Sequence, residues 1–225
     1  MKNAKSIVLM LICGLTTFTV SSCLDDGGNN NGGGVIPTMT LADSIEACQK
    51  SQGMYAGKLY YINPNKNLST DKEDSVDVRW TISNSTMTRN RLVMDNFPIK
   101  PLALYVNDRT SLDHSKEILE AAETQTLTTN VIPYLKLSTQ YSTLFQYSIM
   151  PIEEKMEFNV VYENNTHHVV VVFTEKIEDS NGYYYYPISV YHNNLFQGNI
   201  LIEKVYVDGY EYKIATVFGI KAKKG

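Results

Sequence analysis

The run Asp74-Ser75-Val76-Asp77-Val78-Arg79-Trp80-Thr81-Ile82 puts Val76, Val78, Trp80 and Ile82 on one side and Asp77, Arg79 and Thr81 on the other. That period of two is the mark of a strand with one buried face. Asn84-Ser85 then predicts a turn into a second strand over 87–94, which buries Leu92 and Met94 and gives an antiparallel pair anchored by Trp80. Upstream, Tyr55, Gly57, Leu59 and Tyr61 alternate with Ala56, Lys58 and Tyr60 until Asn63-Pro64-Asn65 ends the run. Downstream, the pattern predicts strands over 131–137, 144–150, 156–162, 169–173, 183–191, 200–207 and 210–218. Glu163-Asn164-Asn165-Thr166 and Asp208-Gly209 have the composition of tight connections between neighbours. Val169 to Phe173 is apolar on both faces, so a second layer must cover at least one strand twice.

Helices are few. Thr40-Leu41-Ala42-Asp43 has the form of a capping box, followed by Leu41, Ile45 and Cys48 at helical spacing, with Gly53 as the stop. Phe97-Pro98-Ile99 and Pro101 interrupt strand pairing, and 115–123 can form a second helix presenting Ile118, Leu119 and Ala122. The fold class expected is mainly β, with α+β open: an antiparallel β-sandwich or a partly closed barrel with one or two short helices. No repeat of solenoid period is visible.

The chain has 225 residues, 43% of them hydrophobic, with 20 basic and 24 acidic side chains and a net charge of -4. That length and apolar content build one domain with a core. A mildly acidic surface offers no field for phosphate backbones, so nucleic acid is not an expected partner. Lys2 and Lys5 precede the mostly apolar run from Ile7 to Val20, which has the order of an export signal and is short for a membrane span. Val20-Ser21-Ser22-Cys23 resembles a bacterial lipobox. The resemblance implies cleavage before Cys23 and acylation of its thiol, anchoring the chain in a lipid bilayer. Residues 1–22 are then a signal peptide, 23–38 a lipidated cysteine with a glycine-asparagine tether, and 39–225 a single β-rich domain. Asp25 and Asp26 resemble the signal that carries Bacteroidetes lipoproteins to the outer face of the outer membrane, and a plain soluble linker is the alternative. With Cys13 removed and Cys23 acylated, Cys48 has no partner in the chain and is expected to be buried.

Together with the tether, Gly53-Met54-Tyr55-Ala56-Gly57 and Phe97-Pro98-Ile99, these features resemble the small outer-membrane lipoproteins of Bacteroidetes classed as domains of unknown function. That resemblance implies a cell-envelope location, lipid-anchored in the outer membrane and, by the acidic signal, at the cell surface, and lends no chemistry. Asp74-Ser75-Val76 also resembles the O-glycosylation acceptor of exported Bacteroidetes proteins, which makes Ser75 the candidate acceptor.

Motifs for chemistry are lacking. His114, His167, His168 and His192 form no zinc pattern, and the adjacent pair His167-His168 points to opposite faces of a strand. No nucleophile elbow, phosphate loop or dinucleotide glycine pattern occurs, so no catalytic residue, metal or cofactor is assigned. Tyrosine is distinctive: there are 16, including Tyr183-Tyr184-Tyr185-Tyr186 after Asn181-Gly182. With Tyr191, this tetrad is the candidate ligand surface for a glycan or a surface protein. Cross-strand packing with hydroxyls in water is the plainer alternative. The function expected is a non-catalytic binding or accessory module. A structural subunit of a surface complex or fimbria, and then a hydrolase, are the alternatives.

Overall fold

The computed structural model describes residues 39–66, 74–110, 113–138, 142–178, 184–186 and 188–225. Its strands are β1 (Gly53–Tyr61), β2 (Asp74–Thr86), β3 (Arg89–Phe97), β4 (Gln125–Ser138), β5 (Thr143–Pro151), β6 (Lys155–Tyr162), β7 (Asn165–Thr174), β8 (Ile177–Glu178), β9 (Tyr184–Tyr185), β10 (Ser189–His192), β11 (Leu195–Val207) and β12 (Tyr210–Lys224). Eight of them, in the order β10-β5-β4-β3-β2-β1-β12-β11, close into an antiparallel ring through the β10–β11 pairing. The mainly β class with few short helices is realised, and of the two architectures expected it is the barrel, with its ring closed. β11 is long enough to serve two neighbours: its start pairs with β10, while Leu201 to Val207 pair with β7. The β6–β7 hairpin therefore stands off the ring as a lateral flange. A bulge between Ile202 and Lys204 marks the fork.

The ring interior is packed with side chains. Tyr55 stacks on Trp80 with centroids 5.6 Å apart, and Phe196 meets Tyr55, Trp80 and Tyr147 at 5.8, 6.4 and 6.0 Å. Towards the other end, Phe97 meets Phe173 and Phe218 at 6.1 and 6.0 Å. These large rings fill an eight-stranded barrel of the size that holds side chains and no channel.

Helix α1 (Leu41–Ser51) closes one pole. Its capping box forms as expected, with Asp43 N donating to Thr40 Oγ1 at 3.1 Å and Thr40 N to the Asp43 carboxylate at 3.3 Å. The carbonyls of its last turns are taken up by the barrel. Tyr147 Oη donates to Ala47 O at 2.9 Å, Asn90 Nδ2 to Cys48 O at 2.7 Å, and Tyr55 Oη to Ser51 O at 2.6 Å. Lys136 Nζ adds ion pairs of 2.7 Å to both Asp43 and Glu46. Cys48 is buried, and desolvation pushes its thiol up to about 11. The buried face is Ala47, Cys48 and Ser51, whereas Leu41 is 64% exposed because the first turn overhangs the rim. The stop is Gln52, which is already extended, and Gly53 opens β1.

A crossing segment closes the opposite pole. The 3₁₀ helix Lys100–Tyr105 has Pro101 in its first turn, and α2 (Ser115–Ala121) packs against it and against β6. Leu102, Ala103, Ile118, Leu119 and Ala122 are all buried there, and Tyr105 Oη donates to Ile62 O.

Several boundaries differ from the sequence reading: the strands expected over 131–137, 169–173 and 200–207 begin earlier, at Gln125, Asn165 and Leu195. β2 does not turn at Asn84-Ser85 but passes through a bulge and turns at Met87-Thr88. The single strand expected over 183–191 is two short pieces, β9 and β10, with Pro187, which lacks an N–H, between them. β12 runs on to Lys224, and that extension supplies the pairing with β1 that shuts the ring. The tight connections hold: Glu163-Asn164 and Asp208-Gly209 have positive φ at both positions, the geometry of a type I′ hairpin. Asn193-Asn194 forms a third.

Candidate functional site

Among the described residues, titratable and aromatic groups converge at the pole opposite α1. The connection from the 3₁₀ helix to α2 runs beside the β11–β12 turn and the start of β7. Together they enclose an open cleft of about 460 Å³ lined by Arg109, Asp113, His114, His167, Asp208 and Tyr210. The outer wall of β1–β3 has a larger depression of about 770 Å³, but Lys58 and Asp77 there form a solvated pair 45% and 85% exposed. Solvated charges of that kind are weakly held.

Asp113 organises the cleft. Its side chain is 9% exposed and accepts from Arg109 N (2.9 Å), Arg109 Nε (3.2 Å), Ser115 N (3.2 Å), Ser115 Oγ (2.6 Å) and Tyr212 Oη (2.7 Å). Burial opposes its charge, but the hydrogen bonds from Ser115, Arg109 and Tyr212 prevail and hold the carboxyl well below the usual carboxylate range. The same ion pair fixes the Arg109 guanidinium over the Tyr210 ring, 3.9 Å from its centroid and 5.5 Å from that of Tyr212. Tyr210 itself is 55% exposed.

Asp208 does two jobs. As the first residue of the β11–β12 turn it reaches across to β7, where Oδ1 accepts from His168 N at 2.9 Å and Oδ2 lies 2.7 Å from His167 Nδ1. Burial again opposes the charge, and His167 with the His168 amide lowers its pKa regardless. Acceptance by Asp208 places the His167 proton on Nδ1 and leaves Nε2 as the acceptor. The Tyr162 ring lies between the two imidazoles, 6.0 Å from His114 and 6.3 Å from His167.

The residues singled out by sequence fall elsewhere. Cys23 and Tyr183 lie outside the described residues. Tyr184 and Tyr185 form β9 against β8, and Tyr186 is 61% exposed. Tyr191 is 5% exposed, with its hydroxyl 2.9 Å from Asn194 Oδ1. Tyr186 is thus at the surface and Tyr191 is not. Ser75 is exposed and sits second in β2 opposite Tyr60. His167 and His168 do point apart, with His168 Nε2 3.8 Å from Glu157 Oε2, and no cluster of metal-ligating side chains occurs among the described residues. The reading from sequence missed Arg109, Asp113, Tyr210 and Tyr212 altogether. The faint signal was Tyr210 and Tyr212 at period two directly after a type I′ turn.

These features define a class: a closed eight-stranded antiparallel barrel, capped by helical segments at both poles and carrying a polar-aromatic cleft at one of them. The chain belongs to the DUF4840 family, a domain of unknown function, whose family model matches residues 50–207. No curated protein and no solved structure matches it significantly. The matched segment stops short of β12, the strand that completes the ring.

Proposed function

We propose that this protein is an envelope lipoprotein of the Bacteroidetes type, anchored through acylated Cys23, whose barrel is a non-catalytic module that binds a glycan in the cleft. The observation that carries the reading is the state of the two cleft carboxylates. Asp113 and Asp208 are both held anionic below their ordinary range, whereas glycoside hydrolysis needs one carboxyl kept protonated as the acid. The cleft instead offers fixed acceptors, an imidazole and the exposed Tyr210 ring, which suit hydroxyl groups and the apolar face of a sugar. Anchorage supports presentation too. The chain joins the barrel through α1, so a tether ahead of α1 leaves the opposite pole facing away from the membrane.

Glycan-array binding by the purified protein tests the site. Tyr210→Ala and His167→Ala should each lower binding about tenfold while circular dichroism shows the barrel still folded at the assay temperature. Undiminished binding in both would overturn the assignment. Loss on Tyr184→Ala and Tyr186→Ala would move the site to the β8–β9 arm. A hydrolase is the second reading, favoured by the fixed His167–Asp208 pair, whose Nε2 could serve as a base. Release of new reducing ends by the wild type, abolished by His167→Ala, would establish it. Recovery of a Cys23→Ser variant wholly in detergent-extracted envelopes would defeat the lipid anchor.

A further inference from the structure

The flange presents a strand with nothing beside it. β6 pairs with β7 on one side in an unbroken register from Lys155↔Val172 to Tyr162↔Asn165, and among the described residues no strand pairs with its other side. Natural sheets guard such edges with prolines, bulges, lysines or brevity. β6 has no proline and no bulge, runs 8 residues, and carries a lysine only at its first position. Its solvent face ends in Val161, which is 71% exposed, while its inner face is covered by α2. Among the described residues β7 and the long strands of the ring have neighbours on both sides, so the β6 edge is where this sheet can still grow.

We propose that β6 pairs with β6 of a second copy of this chain, antiparallel about a two-fold axis at Asn159. Charge selects both the occupant and the register. A two-fold pairing that keeps solvent face with solvent face can be centred along the strand in only a few ways. Centred on Glu157, it sets that carboxylate against its own copy. Centred on Val160, it sets Glu157 against Glu163. Centred on Phe158, it leaves Lys155 opposite Val161 and Glu157 opposite Asn159, with no charge matched. Centred on Asn159, it brings Lys155 of each copy to Glu163 of the other, an attractive pair at both ends. Glu157 then faces Val161, and the two Asn159 side chains meet on the axis. Glu163 is exposed and is the first residue of the β6–β7 turn, within reach of a lysine stem from the facing strand. The result is a sheet continuing through β7-β6-β6-β7, with one barrel at each end.

Single-cysteine cross-linking in the full chain tests this, because a residue on the axis meets its own copy and its neighbours do not. Cys48 is 1% exposed, and the wild type sets the background. Under mild oxidation Asn159→Cys should give a covalent dimer. Glu157→Cys and Val161→Cys should each stay monomeric alone and cross-link when mixed. No cross-link at 159, or equal cross-linking at all three positions, overturns the proposal. Sedimentation of the detergent-solubilised chain supplies a second readout that needs no cysteine. Lys155→Glu should weaken the dimer about tenfold, and Lys155→Glu with Glu163→Lys should restore it, with melting unchanged in both. A monomer at every concentration, or a double variant no better than the single, equally refutes it.

Discussion

Between β1 and β12 the barrel wall leaves no room for a side chain at Gly57, and Gly57→Ala tests whether that seam holds the ring closed. Gly57 lies opposite Ala222 and shares the inner face with Tyr55 and Leu59. A methyl group added there would sit 2.2 Å from Lys221 O, 2.5 Å from Ala222 Cβ and 2.7 Å from Ala222 Cα. Ordinary contacts between carbon atoms are about 3.5–4.0 Å, so the strands must part by roughly 1 Å. None of the obstructing atoms is a flexible side-chain end. Overpacking of this kind costs about 1–3 kcal/mol, and stretching one or two ladder hydrogen bonds adds about 1 kcal/mol each. Replacing a strand glycine returns roughly 0.5–1 kcal/mol. The net loss is about 2–4 kcal/mol, which for a domain of this size lowers Tm by roughly 5–15 °C. Circular dichroism melts give the shift, and amide exchange should show faster opening at the end of β12. A variant melting within about 1 °C of wild type, with β12 as protected as before, would refute the closure argument.

Tyr147→Phe removes the hydroxyl that caps Ala47 O and should cost about 1–2 kcal/mol, read as a lower urea midpoint with unchanged slope. Thr40→Ala abolishes the capping box of α1 and should cost about 0.5–2 kcal/mol by the same assay. Asp113 and Asp208 both have carboxyl pKa values lower in the folded chain than the ordinary 3.8. Their stabilisation is therefore complete above that value and drains away as the pH falls below it, so a pH series of urea melts should steepen below about pH 4. Asp113→Asn should flatten that acid limb, lower stability at neutral pH by about 1–3 kcal/mol, and release Arg109 from Tyr210.

What was legible in the sequence followed from local periodicity. Val78, Trp80 and Ile82 are buried while Asp77, Arg79 and Thr81 face out, because one sheet face meets a core. Leu92 and Met94 are buried from the facing strand for the same reason. Turn chemistry was equally readable at Glu163-Asn164 and Asp208-Gly209, where side chains tolerant of positive φ coincide with ends of apolar alternation. Closure was not legible. It depends on β11 splitting its pairing between β10 and β7 and on β12 extending through Gly219 to Lys224, and register between distant strands leaves no trace in either strand alone. The β2 bulge misled for a related reason: Asn84-Ser85 looks like a turn, but bulge and turn draw on the same residues.

The cleft was hidden because its chemistry is assembled from segments that each read as something ordinary. Arg109 and Asp113 sit in a polar connection, Asp208 reads as a turn residue, and Tyr210 and Tyr212 read as strand fillers. Only the fold brings the crossing segment under the β11–β12 turn, and only then does Asp113 collect donors from Arg109, Ser115 and Tyr212. Tyr186 and Tyr191 show the converse, two tyrosines of one conspicuous stretch that differ in exposure, since Tyr191 turns into the barrel while Tyr186 stays at the surface. Residue richness along a chain reports how often a side chain is used, whereas a site depends on which strands meet at one pole. The interior is packed by Tyr55, Trp80, Tyr147 and Phe196. Among the described residues, the pole that α1 does not cover is where fixed charges and an exposed ring coincide.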